Sequence, residues 1–172
     1  VRAFPERFVG QFMVDPGQPD ALSRTRRGFE KLGLRVVCLF PAMHHFRLDA
    51  DEALAILEIA DELNRAAFVH CGVLSVGVRK KLGLPSSFDV RLGNPLDLQR
   101  AAISFPRLPI VIPHFGAGFF REALVVADLH PGIYLDTSSS NSWVKYFPPL
   151  SSRTSINETL AQPTLALHDY RQ

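Results

Sequence analysis

The chain has 172 residues, enough for one substantial hydrophobic core and too few for two ordinary domains. Its composition, 47% apolar and 21% charged, is close to the globular average and excludes both an extended disordered chain and a fibrous repeat. The net charge of +2, with basic residues scattered among acidic ones, gives no electrostatic reason to expect nucleic acid or an anionic membrane as partner.

No apolar run approaches the roughly 20 residues that span a bilayer, and the N-terminal "VRAFPERF" lacks the apolar core of a signal peptide. A cytoplasmic location is therefore the default expectation. The absence of an initiator methionine before Val1 suggests that sequence lies upstream. Cys38 and Cys71 lie inside apolar runs without C-x-x-C spacing, which fits small buried hydrophobes better than a redox pair or a zinc knuckle.

In chain order, short apolar runs alternate with longer amphipathic ones. Residues 8–14 read as a strand closed by Asp15-Pro16-Gly17, and Asp20 is placed to cap a helix that Gly33 stops. A second strand over 34–40 is ended by Pro41. The next helix, capped by Asp49 or Asp51, carries a wide apolar face from Ala53 to Leu63. "AAFVHCG" is a third strand. Residues 73–94 form a long excursion with one short helical piece at 79–82, a kind of segment that is commonly functional. Pro95 opens a helix that runs to about Phe105. "LPIVIPHF" is a fourth strand, 119–129 a helix and "GIYLDTS" a fifth strand. After Trp143 the chain becomes rich in Ser, Thr and Pro, so residues 148–172 read as an irregular tail with a short helix around Glu158.

Strict alternation implies parallel strands joined by crossovers, and apolar character on both strand faces fits a sheet covered by helices. Two α/β architectures satisfy this: an open doubly wound sheet, or part of a (β/α)₈ barrel. In both, the C-terminal strand ends form the functional edge, and Asp15, Phe40, His70, His114 and Asp136 all fall there.

His70 and His114 are the leading candidates for chemistry. Each ends an apolar strand and is followed by glycine, which lets backbone approach a ligand closely. Neutral imidazole suits zinc, iron or manganese and also titrates near neutral pH, so metal binding and general acid/base work are both open. A core histidine bonded through both nitrogens is the bland alternative for either residue. Asp136 is placed to orient an imidazole or bind substrate, or equally to cap the following turn with Ser138; Asp15 reads as a turn former. His44, beside His45 in the loop after the second strand, and Arg79 in the long excursion are candidates for substrate contact, against the plainer reading of solvated surface. The basic spots Arg26-Arg27 and Arg79-Lys80-Lys81 read as surface. "HFGAGFF" does not follow the dinucleotide glycine pattern, no phosphate-binding P-loop occurs, and no G-x-S-x-G elbow accompanies residues 138–140.

Taken together and in order, "RFVGQFMVDP", "LGLRVVCLFPAMHHFRLD", "AAFVHCG", "LPIVIPHFGAGFFREAL" and "GIYLDTSSSNSW" resemble the amidohydrolase superfamily, in particular the branch containing aminocarboxymuconate-semialdehyde decarboxylase. The likeness covers about residues 5–147. It implies a (β/α)₈ TIM barrel with a divalent metal, zinc being the expected ion, at the C-terminal face of the strands. It also implies that His70 is a metal ligand from barrel strand five, and that His114 on strand six is a metal ligand or the catalytic acid/base, with Asp136 orienting it. The implied chemistry is a metal-activated water acting on a carbonyl or carboxylate small molecule, by hydrolysis or decarboxylation.

Three features depart from the family pattern. No His-x-His pair is present, no Gly-x-Asp strand follows Thr137, and Cys38 stands where many relatives place a basic residue on the fourth strand. The expectation is thus an incomplete barrel domain at 1–147, about strands three to seven, since a whole barrel takes about 250 residues. Two functions follow: a metal-dependent hydrolase or decarboxylase, inactive if incomplete, or a non-catalytic barrel remnant whose unpaired edge strands favour a homo-oligomer.

Overall fold

The computed structural model describes residues 4, 6–75 and 77–139. The irregular tail expected at 148–172, with its short helix, lies outside the described residues, as does the end of the domain expected at 147.

Five parallel strands form one sheet: β1 (Gln11–Met13), β2 (Val36–Leu39), β3 (Ala66–Val69), β4 (Ile110–Ile112) and β5 (Ile133–Leu135). Their spatial order is their sequence order, 1-2-3-4-5. A doubly wound sheet reverses direction at a switch point; this one never does, as in the wall of a (β/α) barrel. Between the strands lie α1 (Ala21–Glu30), a one-turn α2 (Pro41–His44), α3 (Asp51–Glu62), a short α4 (Gly77–Lys81), α5 (Gln99–Ser104) and α6 (Phe120–Leu129).

The helices form where the apolar spacing directs them. In α3 the residues Ala53, Leu54, Ile56, Leu57, Ile59 and Ala60 are buried, and Asp51 and Glu52 in its first turn suit the positive end of the helix dipole. Its N-cap is Ala50, and Asp49 instead binds Arg47 through two bonds of 2.8 Å. Asp20 does occupy the N-cap of α1, though without a side-chain capping bond. Gly33 adopts φ +66°, a conformation easy for glycine, and allows the Leu34 amide to reach back to the Gly28 carbonyl at 3.1 Å.

Strand alternation divides the sheet into two faces. Val37, Leu39, Ala67, Val69, Ile110, Ile112 and Ile133 are buried in one cluster with Ile56, Leu57, Ala101, Ala123 and Val126 of the helices. The alternate set, Val36, Cys38, Ala66, Phe68, Val111 and Tyr134, lines the opposite face, which in a barrel is the interior. Extending that parity past the strand ends places Phe40, His70 and Asp136 on the interior side.

Several boundaries differ from the sequence reading. The first strand shrinks from 8–14 to Gln11–Met13, with Phe8 and Val9 exposed. Pro41 starts a helical turn in place of ending a strand in a loop, because its fixed φ suits a first helical position. Pro95 opens a 3₁₀ turn, Pro95–Leu98, before α5 begins at Gln99. The expected strand "LPIVIPHF" stops at Ile112.

Leu57 is fully buried at the centre of the α3 face. Leu57→Ala is expected to lower the unfolding free energy by about 2–5 kcal/mol, read from urea denaturation, through lost burial and a residual cavity.

Candidate functional site

β3 delivers His70 with no departure from strand geometry. Its amide donates to the Leu39 carbonyl at 2.9 Å, continuing the β2 ladder, and the side chain is 6% exposed. The imidazole stacks on Phe40 from the neighbouring strand end, centroids 5.4 Å apart and planes at 19°. Its Nδ1 is buried without a hydrogen-bond partner among the described residues. Among the described residues the ring thus lacks one of the two bonds that a doubly bonded core histidine would make.

His114 arrives by a different route. Simple alternation along β4 would put it on the helix side with Ile110 and Ile112. Instead the backbone turns left-handed directly after Pro113, and residues 114–118 all have positive φ, from 39° at Ala117 to 106° at Gly118. Non-glycine residues rarely adopt this conformation, and such strain concentrates at functional sites. The turn carries the His114 ring to within 5.4 Å of the His70 ring, edge to face.

Asp136 does not touch His114 directly. Its Oδ1 accepts from the Ser138 amide at 2.7 Å and its Oδ2 from the Ser138 hydroxyl at 2.6 Å. The turn so formed aims the Ser138 carbonyl at His114 Nδ1, 2.6 Å away. A carbonyl oxygen only accepts, so Nδ1 carries a proton, and in the neutral ring Nε2 keeps the lone pair. The Ser138 hydroxyl, whose proton is given to Asp136, is a second acceptor for the same N–H at 3.1 Å.

The other candidates are placed elsewhere. His44 ends α2 with a buried Nδ1 that has no partner among the described residues, and it lies close enough to Asp15 to influence that carboxyl. Burial acts to raise the Asp15 pKa, but hydrogen bonds from Gln18 and Gly17, with the charges of His44 and Arg24, hold it below the ordinary value. Asp15 is thus a turn former, as its sequence context suggests. Arg79 spends both Nε and an Nη on the Pro85 carbonyl, at 3.2 and 2.9 Å, closing its own loop and not engaging the histidines. Cys38 is buried and its thiol is pushed up to about 11, so it stays protonated at neutral pH. The sequence places Phe40 at the functional edge without assigning it a role, whereas the Ser138 carbonyl escapes it, because a main-chain acceptor leaves no residue signature.

Among the described residues no group of three or more His, Cys, Asp or Glu side chains could hold a metal ion. The histidine pair does fit part of a donor set. Two imidazoles sharing an ion at about 2.0–2.1 Å per nitrogen have centroids roughly 5 Å apart at a tetrahedral angle, which matches their separation. Asp136 has both oxygens on Ser138 and does not complete a three-residue donor group with them.

Burial, reinforced by the nearby His114, lowers the His70 pKa from 6.5 to about 4. The unfolded chain then takes up a proton near pH 6.5 that the folded chain refuses until about pH 4. Stability of the metal-free protein is therefore full above about pH 6.5 and declines as pH falls toward 4, by on the order of 3 kcal/mol. Urea midpoints between pH 7 and 4.5 are expected to show this fall, and His70→Gln to flatten it; an equal fall in the variant would contradict the assignment.

The amidohydrolase family model matches residues 1–162. No curated protein matches the sequence. Among solved structures, an uncharacterized TIM-barrel protein from Bordetella bronchiseptica is similar with a TM-score of 0.62 at 19% identity, over 79% of this chain and 45% of that one. A Staphylococcus aureus protein provisionally described as an amidohydrolase gives 0.53 at 17%, over 88% and 60%. A manganese-bound 5-carboxyvanillate decarboxylase from Novosphingobium aromaticivorans gives 0.48 at 18%, over 84% and 47%. The chain thus spans 45–60% of the length of these structures, and at such identities the likeness to the first two speaks to the fold alone. The family match covers nearly the whole sequence and agrees with the unreversed parallel sheet: the chain belongs to the amidohydrolase family.

Proposed function

We propose that this is the site of a metal-dependent hydrolase acting on a carbonyl- or carboxylate-bearing small molecule. The observation that carries the reading is the meeting of His70 and His114 at one strand edge, with the Nε2 lone pair of His114 left available. His70 and His114 would hold a divalent ion, zinc being the expected one, and a bound ion would supply Lewis acidity toward a water or a carbonyl oxygen.

The remaining chemistry belongs to the chain itself. Burial against Phe40 keeps His70 neutral, the form in which imidazole donates to a metal. With Nδ1–H fixed on the Ser138 carbonyl, His114 has one lone pair, at Nε2, which serves either as the second metal ligand or, where the ion rests on His70 without it, as the group that accepts or returns a proton. Asp136 is a positioning residue: it holds Ser138, and Ser138 sets the tautomer of His114.

Two imidazoles alone bind a divalent ion weakly. Calorimetric titration is accordingly expected to show one zinc per chain, with affinity reduced at least about tenfold by His70→Ala and by His114→Ala, since even residues behind metal ligands cost that much. Hydrolysis of ester or amide probes should depend on added metal and disappear in both variants. Absence of metal uptake and of turnover on ester, amide and carboxylate substrates would overturn the proposal and leave a non-catalytic barrel segment.

A further inference from the structure

At the opposite end of the strands lies a cleft of about 320 Å³ that the histidine chemistry does not use. Its wall includes Arg35, Arg65 and Arg107, together with Asp61, Asn64 and Val9. Each arginine stands just before a strand: Arg35 precedes β2, Arg65 precedes β3 and Arg107 lies three residues before β4.

The backbone fixes the first two side by side. Val36 pairs with Ala66, so Arg35 and Arg65 occupy equivalent positions on adjacent strands, whose axes are about 4.8 Å apart. Main-chain bonds pin both: the Arg35 amide donates to the Gly10 carbonyl at 2.9 Å, and the Arg65 amide to the Ala60 carbonyl at 2.8 Å. Equivalent positions in parallel strands project toward the same face, which here is the helix-facing side where α3 ends.

Neighbouring guanidinium groups repel unless an anion lies between them. Among the described residues none of the three arginines forms an ion pair, and Asp61 is the one carboxylate in the cleft wall. Three positive groups against one negative leave the cleft with an excess of two positive charges. The Arg65 Nε is, moreover, buried without a hydrogen-bond partner among the described residues. A buried guanidinium N–H with no acceptor is costly, and a carboxylate or phosphate satisfies such a fork through two parallel bonds.

We infer that this cleft binds a small oxyanion, carried by a phosphate group or by a polycarboxylate, with Arg65 as the central anchor and Arg35 and Arg107 flanking it. The volume is at the lower end for small-molecule pockets and suits a ligand of that size. The site is separate from the histidine rim and does not depend on metal.

Thermal unfolding of the purified full chain, with inorganic phosphate or malonate titrated against sodium chloride at matched ionic strength, tests this inference. Phosphate, malonate or both are expected to raise the melting temperature saturably beyond chloride; phosphate alone would identify a phosphorylated ligand, and malonate alone a polycarboxylate. Arg65→Gln and Arg107→Gln should each weaken the response at least about tenfold in affinity, and Arg65→Lys, which keeps the charge but loses the fork, should weaken it less. Arg121→Gln, an exposed change on α6 outside the cleft, and His70→Ala should leave it intact. If neither anion exceeds chloride, or if the response persists undiminished in both Arg65→Gln and Arg107→Gln, the site does not exist.

Discussion

Gly72 has no room for a methyl group. A Cβ built there would collide with the backbone of Gly116 and Ala117, and the residue holds φ +83°, which side-chain-bearing residues rarely adopt. That close approach lets the Gly72 amide donate to the Gly93 carbonyl at 2.7 Å and the Val73 amide to the Ala117 carbonyl at 2.8 Å. Three segments distant in sequence are thereby tied into one junction just beyond β3 and β4. His70 lies two residues before the junction on one strand, and His114 two residues before it on the other.

The left-handed run after β4 is what the junction stabilises. Its non-glycine members, His114, Phe115 and Ala117, each carry a conformational cost of about 1–2 kcal/mol. The compensating bonds are specific: the Phe115 amide to the Asp136 carbonyl at 2.9 Å, the Ala117 amide to the His114 carbonyl at 3.0 Å, and the Phe119 amide to the Gly116 carbonyl at 2.9 Å. Phe115 and Ala117 are also buried. The same turn that strains the backbone therefore inserts an apolar anchor and returns His114 to the interior side. Asp136 contributes twice, through its main chain to Phe115 and through Ser138 to the His114 ring.

Much of this was legible in the sequence, and the limits have physical causes. The alternation of short apolar runs with amphipathic ones set the parallel α/β order, because periods of 2 and 3.6 report directly on burial. The histidines in "AAFVHCG" and "LPIVIPHF" were read as sharing one edge, and their rings do meet there. Hydrophobicity did not disclose that the second run breaks at Pro113, since Phe115 is as apolar in a buried turn as in a strand. Asp136 capping its turn with Ser138 was one of the sequence's alternatives, whereas the reach of that turn to His114 was not, because the acceptor there is a backbone oxygen common to every residue type. The choice between doubly wound sheet and barrel rests on spatial strand order, which periodicity does not encode. The arginines before β2, β3 and β4 were read as scattered charge, and only the strand register brings Arg35 and Arg65 abreast.

The two ends of the sheet differ in character: the histidine pair lies at the C-terminal strand ends, the face on which barrel enzymes build their sites, and an arginine-lined cleft lies at the other. The account depends most on the convergence of His70 and His114 from β3 and from the strained turn after β4. The most direct measurement is a nuclear Overhauser spectrum of the metal-free chain with assigned histidine ring protons. A cross-peak between the rings of His70 and His114, accompanied by one between His70 and Phe40, is the result the account requires. Well-resolved ring signals showing the Phe40 contact but none between the two imidazoles would contradict it.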